Sequence, residues 1–353
     1  MESLGKTSEW VTRPLIEVAT LQRGYDLPIQ DRTGGLHPIF AANGTVGFHG
    51  SSKCKGPGVV TGRSGTIGKV HFVKTDFWPL NTSLYVKNFH GNDPRWVYYM
   101  LQSFGLESYS QGAGVPTLNR NLVHGEPVKV PPLPEQRRIA AILDQAETLR
   151  TQRRTALALL DTLTQSIFLD MFGDPQSNPK GWKTQALTEF FQFRTGKLDS
   201  NAATQDGAYP FFTCSREDFR IDTYAFDCEA LLLAGNNANA DYSVKHYRGK
   251  FNAYQRTYVL TLADAANSYV YARVVLEMKL QELKRESKGS STKYLTLGLM
   301  DRLKLPVPAP ALQQTFATRI AAIEALKSTH RAALAQLDAL FASLQHRAFS
   351  GTL

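Results

Sequence analysis

Hydrophobic side chains recur every three or four positions along two long stretches of this 353-residue chain. Steps of four and three are typical of the seam of a coiled coil, where successive positions share one face of a helix. Each stretch is therefore predicted to be one long helix, with polar residues partway along its seam. The seam positions are Ile139, Leu143, Ala146, Arg150, Arg153, Leu157, Leu160, Thr164, Ile167 and Met171, and then Phe316, Ile320, Ile323, Lys327, His330, Leu334, Leu337, Phe341, Leu344 and Ala348.

The two stretches are copies of each other. Adding 177 to the residue numbers carries 131–174 onto 308–351 without a gap, so that Gln136 meets Gln313, Glu147 meets Glu324 and Asp161 meets Asp338. A second apolar stripe widens the apolar face of the first copy: Ile142, Leu149, Ala156 and Leu163. One helix cannot bury such a face alone, so we expect the two copies to pair as an antiparallel coiled coil.

The segments that precede the two helices have a different pattern. Short β-rich runs such as HPIF, GVVTG and SLYV are separated by Gly, Pro, Asn and Asp, and a helix is predicted from Pro94 to about Ser103. The segment from about 181 to 305 is a diverged copy of the first. Trp10, Leu15, Gly24 and Pro38 recur 172 positions later, and Gly62, Tyr85, Val97 and Tyr98 recur 173 positions later. The shared residues are structural ones, whereas the loop residues differ.

The fold predicted from these patterns is α+β. Two similar mixed α/β domains (residues 1–130 and 175–307) alternate with two long helices (131–174 and 308–353) that pair as an antiparallel coiled coil. This internal repeat gives the chain a pseudo-two-fold axis, and we expect the domains at opposite ends of a rod-like spacer. At about 1.5 Å per residue, each helix would be on the order of 55–60 Å long.

The net charge and the cysteine content limit which partners and which cellular compartment are expected. The net charge of +9 favours an acidic partner, nucleic acid first. The three cysteines (Cys54, Cys214 and Cys228) are odd in number and lack metal-ligand spacing, which favours reduced thiols. The N-terminus lacks the apolar core of a signal peptide, and no apolar run is long enough to cross a bilayer. We expect a cytoplasmic protein that does not bind membranes.

Several kinds of catalytic site are excluded by spacing. The stretch GRSGTIGK (residues 62–69) misses the nucleotide-binding pattern by one residue, and Val70 stands where Ser or Thr must hold magnesium. No adenine-methyltransferase motif of the Asn-Pro-Pro-Tyr type occurs, and the eight histidines are not spaced as metal ligands. The sequence therefore predicts no catalytic residue, no metal site and no cofactor. GRSGTIGK remains open to two interpretations: a turn that approaches a phosphate backbone, or a tight turn with exposed basic residues.

Basic and amide side chains cluster in the loops of both domains. Basic residues neutralise phosphates, while Arg, Asn and Thr bind the edges of bases. The predicted DNA-binding residues of the first domain are Arg23, Tyr25, Asn43, Arg63, Ser64, Thr66, Lys69, Asn81, Thr117, Asn119 and Arg120. Those of the second are Lys197, Asn236, Asn237, Asn239, Lys245, Arg256, Lys293 and Tyr294. Four arginines on the helices are predicted to contact DNA or partner subunits: Arg137, Arg138, Arg154 and Arg331.

The whole chain resembles the specificity subunit of type I restriction–modification systems. The resemblance is carried by the order of domains and helices, by PPLPEQRRIAAILDQ at the start of the first helix, by GVPTLNRNLVHGEPVKVP before it, and by GRSGTIGKVHFV. The start of the second helix, PALQQTFATRI, departs from the family because it lacks the Glu-Gln-Arg-Arg core.

The resemblance implies a non-catalytic protein with two target-recognition domains that bind the two halves of a split site in double-stranded DNA. The paired helices would measure the unspecified bases between the halves. The family implies docking of two modification subunits, which bind S-adenosylmethionine and methylate adenine. Restriction subunits that use ATP and magnesium would then join them. Because the loops of the two domains differ, we expect an asymmetric bipartite target.

Two other functions stay open at this level. One is a recognition subunit for a different DNA methyltransferase or phage-defence assembly, which co-purification would reveal. The other is a coiled-coil adaptor that binds proteins and not DNA, for which no salt-sensitive DNA affinity is expected. The bases recognised cannot be predicted, because Arg, Asn and Thr each serve several bases.

Overall fold

The computed structural model describes residues 10–112, 114–237, 242–286 and 293–353. The chain divides into two compact units. One is formed by residues 1–154 and 332–353, and the other by residues 155–331. The two long helices, α4 (Leu133–Phe172) and α8 (Pro310–Ser350), each contribute one half to each unit.

The first unit contains a mixed α/β domain built on a four-stranded sheet (order β2-β8-β5-β6) and a three-stranded sheet (order β4-β3-β7). Two short pairs, β1 with β11 and β9 with β10, complete it. Its strands are β1 (Val11–Pro14), β2 (Thr20–Arg23), β3 (His37–Ala41), β4 (Gly44–His49), β5 (Gly58–Gly62), β6 (Val70–Val73), β7 (Trp78–Pro79), β8 (Ser83–Asn88), β9 (Ser110–Gln111), β10 (Thr117–Leu118) and β11 (Pro127–Val130). Its short helices are α1 (Leu15–Val18), α2 (Pro94–Ser103) and α3 (Arg120–His124).

The second unit contains a domain built on one six-stranded sheet (order β13-β19-β16-β18-β14-β15), with two further strand pairs, β12 with β21 and β17 with β20. Its strands are β12 (Thr184–Ala186), β13 (Phe191–Thr195), β14 (Tyr209–Phe212), β15 (Phe219–Ile221), β16 (Phe226–Ala234), β17 (Asn236–Asn237), β18 (Val244–Ala253), β19 (Thr257–Leu262), β20 (Lys293–Tyr294) and β21 (Lys304–Pro306). Its short helices are α5 (Leu187–Phe190), α6 (Tyr269–Glu286) and α7 (Leu297–Arg302).

Helix α2 confirms the prediction made for Pro94–Ser103. Asp93 caps it, accepting hydrogen bonds from the backbone N–H groups of Arg95 (2.9 Å) and Trp96 (3.0 Å). Pro94 occupies the first turn, where a missing N–H group costs nothing. Trp96, Val97 and Met100 on this helix are buried in the main core of the first unit.

A buried glutamine fastens each long helix to its domain. Gln136 Oε1 accepts from the backbone N–H of Asp93 (2.8 Å), and Gln136 Nε2 donates to Asn92 Oδ1 (2.8 Å) and to the carbonyl of Pro131 (2.9 Å). Gln313 repeats the arrangement in the second unit, with bonds to Ser268, Asn267 and Pro308 at 2.9, 2.8 and 2.9 Å. Both glutamines are buried, and each satisfies backbone groups at the point where its helix begins.

Within each unit, the two long helices pair with opposite chain directions. In the first unit, Ile139, Leu143 and Ala146 of α4 share a core with Phe341 and Ala348 of α8. In the second unit, Phe168 and Phe172 of α4 pack edge-on against Phe316 of α8, with ring centroids 5.6 and 5.3 Å apart. The predicted seam is thus the contact surface of the two helices, and the predicted fold class is confirmed: two similar mixed domains, two long paired helices and an internal repeat.

The polar positions of the seam form the same ion network twice. In the first unit, Arg150 Nε lies 2.6 Å from Asp338 Oδ1, and Arg150 NH1 lies 2.5 Å from Glu147 Oε2. In the second unit, Lys327 Nζ lies 2.8 Å from Asp161 Oδ1 and 2.9 Å from Glu324 Oε1. Each member of the second network stands 177 positions from its counterpart in the first. Polar pairs at such positions specify register because only one alignment satisfies them.

The second apolar stripe is only partly covered, contrary to the sequence-based expectation. Ile142 and Ala156 are half-buried, but Leu149 and Leu163 are 47% and 42% exposed. The pairing of two helices buries a narrow seam of seven-residue period, and these positions lie beside that seam.

Candidate nucleic-acid interface

One hydrogen-bonded turn occurs in both domains, directly after β5 in the first and after β16 in the second. In domain 1, the Arg63 N–H donates to the carbonyl of Thr82 (2.9 Å), and the Leu118 N–H donates to the carbonyl of Arg63 (2.8 Å). In domain 2, the Gly235 N–H donates to the carbonyl of Arg256 (2.9 Å), and the Leu295 N–H donates to the carbonyl of Gly235 (2.8 Å).

The strands beside this turn correspond as well. Ser64 forms a β-bridge with Thr117, and Asn236 pairs with Tyr294. Asn119 then caps α3, accepting from the Asn121 N–H (3.1 Å), as Thr296 caps α7, accepting from the Leu299 N–H (3.2 Å). We name this element the recognition turn: residues 63–64, 82 and 117–119 in domain 1, and 235–236, 256 and 294–296 in domain 2.

The side chains of the two recognition turns differ where the backbone agrees. By these hydrogen bonds, Arg63 takes the place of Gly235 and Thr82 takes the place of Arg256, so the arginine stands on opposite members of the hydrogen-bonded pair. The residue 173 positions before Gly235 is Gly62, so these hydrogen bonds are one residue out of step with the sequence repeat. Thr117 corresponds to Tyr294, which is 42% exposed. The same backbone therefore presents two different sets of donors.

Five predicted residues of domain 1 line one groove of about 530 Å³ beside its recognition turn: Arg23, Arg63, Thr117, Asn119 and Arg120. Leu84, Gln111, Leu118 and Asn121 complete its walls. Three guanidinium groups in one groove attract phosphate or the acceptor edge of guanine.

A hydrogen-bonded chain of polar side chains continues from this groove. Arg63 NH1 donates to the carbonyl of Asn81 (3.3 Å), and Asn81 Nδ2 donates to Asp26 Oδ1. Arg23 NH2 donates to the same oxygen (3.4 Å), in a pair whose side chains are 52% and 68% exposed. Exposed ion pairs of this kind add little to the stability of the fold. Their effect here is to orient the side chains of Arg23 and Asp26.

His124 joins helix α3 to strand β2 behind Arg120. The Leu21 N–H donates to His124 Nε2 (3.1 Å), which requires the unprotonated ring nitrogen. Partial burial and the neighbouring Arg120 guanidinium lower the pKa of His124. Arg120 is held from the same side, since its NH1 donates to the carbonyl of Leu21 (3.4 Å).

The remaining predicted residues of domain 1 lie outside the groove. Tyr25 is half-buried, and its hydroxyl lies 3.0 Å from that of Tyr85. Asn43 is exposed at the turn between β3 and β4. Ser64 and Thr66 are half-buried in the loop 62–69, whereas Lys69 is exposed at its end.

The loop 62–69 leads from the end of β5 to the start of β6. A Cβ atom at Gly62 would lie 1.7 Å from the carbonyl oxygen of Thr66, so only glycine fits there. Gly65 and Gly68 have φ angles of 86° and 89°. Arg63 stands at one end of this loop and Lys69 at the other, and both interpretations of GRSGTIGK stay open.

The predicted residues of domain 2 fall into three places. Asn236, Arg256 and Tyr294 belong to the recognition turn, and the backbones of Asn237 and Lys293 pair beside it. Lys245 lines a pocket of about 590 Å³ with Arg216, Arg220 and aromatic rings, and its Nζ lies 3.0 Å from Asp218 Oδ1. Lys197 lines another pocket, of about 310 Å³, beside Arg194. Asn239 lies outside the described residues.

The four arginines predicted on the helices divide into two kinds. Arg154 NH2 lies 3.2 Å from Asp338 Oδ1, and Arg331 NH1 lies 3.9 Å from Glu324 Oε2, so both belong to the ion networks between the helices. Arg138 donates to both oxygens of Glu135 (2.7 Å each) and to the carbonyl of Leu353 (3.0 Å). Arg137 is exposed.

Three polar residues next to the recognition turns were not selected from the sequence. They are Asp26, Asp199 and Gln255, and no acidic side chain was among the residues selected. A usable signal existed: Asp26 and Asp199 stand 173 positions apart, the same offset as Gly62 and Gly235.

Among the described residues, no group of three or more His, Cys, Asp and Glu side chains is placed to hold a metal ion. Within those same ranges of the chain, none of the helices is long and apolar enough to cross a membrane.

A family model described as "Type I restriction modification DNA specificity domain" matches residues 7–158 and 179–339. The chain belongs to this family. The two matched ranges each contain one recognition turn, and together they span most of the chain.

Two curated relatives of this specificity-domain family are similar over part of their length. The EcoDI specificity subunit of Escherichia coli is 38% identical over 159 residues, which is 45% of this chain and 35% of that protein. The EcoprrI specificity subunit of Escherichia coli is 29% identical over 115 residues, or 32% of this chain and 29% of that protein. The matched stretches thus cover about a third of each relative.

Two solved structures share the fold of this chain. The S subunit of a type I restriction–modification system from M. genitalium gives a TM-score of 0.68 at 16% identity, covering 99% of this chain and 98% of that one. A chain from a study of complex assembly and conformational transition of the type I R-M system gives 0.53 at 15% identity, with both chains fully covered.

Proposed function

We propose that this chain is the specificity subunit of a type I restriction–modification complex and binds a bipartite, asymmetric target in double-stranded DNA. The observation that carries the proposal is the recognition turn. It occurs once in each domain with the same backbone hydrogen bonds, but with Arg63 and Thr82 in one and Gly235 and Arg256 in the other. Equal scaffolds with unequal donors suit two half-sites of different sequence.

The basic groove beside the first turn supplies contacts for DNA. Arg23, Arg63 and Arg120 neutralise phosphates or bind guanine, and Thr117 adds a hydroxyl that serves several bases. Association is then expected to weaken steeply as the salt concentration rises, because each neutralised phosphate releases counterions.

The chain acts without catalysis of its own in this proposal, and it works in the cytoplasm. It docks two modification subunits, which bind S-adenosylmethionine and methylate adenine, and restriction subunits that use ATP and magnesium. Arg137, which is exposed on α4, is available to contact such partners. The paired helices set the number of unspecified bases between the two half-sites.

Sequencing of methylated bases in cells with and without the gene tests the proposal. We expect adenine methylation at one split motif, present only with the gene, whose two halves differ in sequence. Methylation that is independent of the gene would contradict the proposal, as would a single contiguous or palindromic motif. A chain that co-purifies with other proteins but shows no salt-sensitive DNA affinity would instead be an adaptor.

A further inference from the structure

A carboxylate and a carboxamide are hydrogen-bonded at the same place in both domains. In domain 1, Tyr25 forms a parallel β-bridge with Leu80. The two residues that follow, Asp26 and Asn81, are joined through their side chains, with Asn81 Nδ2 donating to Asp26 Oδ1.

Domain 2 repeats the pair with one residue type changed. Leu198 forms a parallel β-bridge with Tyr254, and the residues that follow are Asp199 and Gln255. Gln255 Nε2 donates to Asp199 Oδ2 (3.5 Å). The side chains of Asp199 and Gln255 are exposed.

Each pair adjoins the arginine of its recognition turn. Arg63 NH1 donates to the carbonyl of Asn81 (3.3 Å), and Arg256 follows Gln255 directly in the chain. The pairs are therefore part of the surface that we propose for DNA, although sequence reasoning selected neither carboxylate.

A carboxylate on a DNA-binding surface repels phosphates, so it favours binding only where it meets a hydrogen-bond donor. The amino groups of cytosine and adenine are the donors in the major groove, and Asp, Asn and Gln are the side chains that accept from them or pair with them. The carboxylate also fixes the carboxamide: because its NH₂ group donates to the carboxylate, its oxygen remains as an acceptor. Both members of the pair then present acceptors.

We propose that the pairs Asp26–Asn81 and Asp199–Gln255 each recognise the exocyclic amino group of an adenine or a cytosine, one in each half of the target. This assignment rests on the proposed function, and it names the residues that exclude guanine and thymine at one position of each half-site.

Selection of bound duplexes from a randomised library tests the assignment, using the full chain purified with its co-purifying subunits. The wild-type protein is expected to select a split motif with an adenine or cytosine at one position in each half. Whether that base is adenine or cytosine is settled by the base that the library yields. Asp26→Asn is expected to lower the discrimination against guanine and thymine at that position of one half-site by about ten-fold or more. The other half-site is expected to stay unchanged, and Asp199→Asn should give the reverse.

Two further variants separate recognition from folding and from net charge. Asn81→Ala leaves Asp26 in place and is expected to lower the discrimination between bases at the same position of the half-site. Asp31→Asn removes one negative charge from an exposed residue elsewhere in domain 1 and should leave the motif unchanged.

Three results would overturn the assignment. The first is an unchanged motif with Asp26→Asn and Asp199→Asn. The second is a uniform change of affinity at every sequence, which would indicate only the loss of repulsion from phosphates. The third is a loss of base discrimination in the same half-site with both variants, Asp26→Asn and Asp199→Asn. A wild-type protein that selects no split motif would instead overturn the proposed function, and this distinguishes the two failures.

Discussion

The carboxamides of Gln136 and Gln313 sit where a long helix leaves its domain, and each makes three hydrogen bonds there. Replacing Gln136 with Leu keeps a similar volume but leaves the Asp93 N–H, the Asn92 side-chain oxygen and the Pro131 carbonyl without a partner. We expect the free energy of unfolding to fall by about 2–3 kcal/mol, measured by urea denaturation of the full chain. Gln145→Leu, at an exposed position of the same helix, serves as the control. An equal loss in both variants would show that the hydrogen bonds of Gln136 contribute nothing.

His124 gives the chain a pH dependence whose sign follows from its lowered pKa. The unfolded histidine binds a proton more readily than the folded one. Its contribution is therefore present above the unfolded pKa of about 6.5 and is lost as the pH falls through the lower, folded value. We expect unfolding experiments to show stability decreasing from pH 7 to pH 5.

The variant His124→Gln should weaken this decrease, because a carboxamide oxygen accepts from the Leu21 N–H without titrating. His346→Gln, at an exposed position of α8, should leave the slope unchanged. An unaltered slope with His124→Gln would show that other groups cause the decrease.

At single residues, the structure adds hydrogen-bond partners that the sequence does not reveal. Asn119 was selected from the sequence as a DNA contact, and the structure shows that its side chain caps α3 while the residue also lines the groove. The sequence analysis did not select Asp26, whose carboxamide partner Asn81 is identified only by the structure. Hydrogen-bond partners 55 residues apart in the chain are set by the meeting of two strands, which no local pattern encodes.

At the level of elements, the duplicated ion networks define the register of the helix pairs. The Lys327 side chain is only 6% exposed, and it contacts the carboxylates of Asp161 and Glu324. Burial alone would lower the pKa of Lys327, but the two carboxylates outweigh it and raise the pKa. The ammonium group is therefore held in its charged form.

Reversing the charge of Lys327 tests this role. Lys327→Glu places three carboxylates together, and we expect the unfolding free energy to fall by about 3 kcal/mol. Adding Asp161→Lys should restore part of the loss, since the two changed residues attract again. Arg319→Glu, which changes an exposed cation on the same helix, is expected to cost about 0.5 kcal/mol or less. No recovery in the double variant would mean that Asp161 does not stabilise Lys327.

At the level of the whole molecule, the proposed function makes helix length a determinant of target spacing. We expect deletion of one heptad from both helices (residues 152–158 and 330–336) to shorten the preferred spacer by about three base pairs, at about 1.5 Å per residue and 3.4 Å per base pair. This deletion keeps Arg150, Asp161, Lys327 and Asp338, and the selected motif measures the spacer. An unchanged spacer would contradict the role of the helices as a ruler.

Deleting only residues 152–158 should abolish the selection, because the two ion networks could no longer form together.

The sequence by itself determined the repeat, the two long helices and the separate character of the two domains. These features are periodic or local: a heptad pattern, a copy at a constant offset of 177 residues, and turn residues between short strands. The sequence also predicted the seam correctly, because burial of apolar side chains imposes its period directly on the chain.

Only the tertiary structure decided which loop residues share a surface. The recognition turn joins residues 63, 82 and 118 in one domain and 235, 256 and 295 in the other, through backbone hydrogen bonds that side-chain patterns do not reveal. Because those bonds are made by the backbone, their side chains are free to vary, and the arginine occupies position 63 in one domain and position 256 in the other. The sequence patterns therefore predict the scaffold. The surface that we propose for DNA forms only when the strands pair in the folded protein.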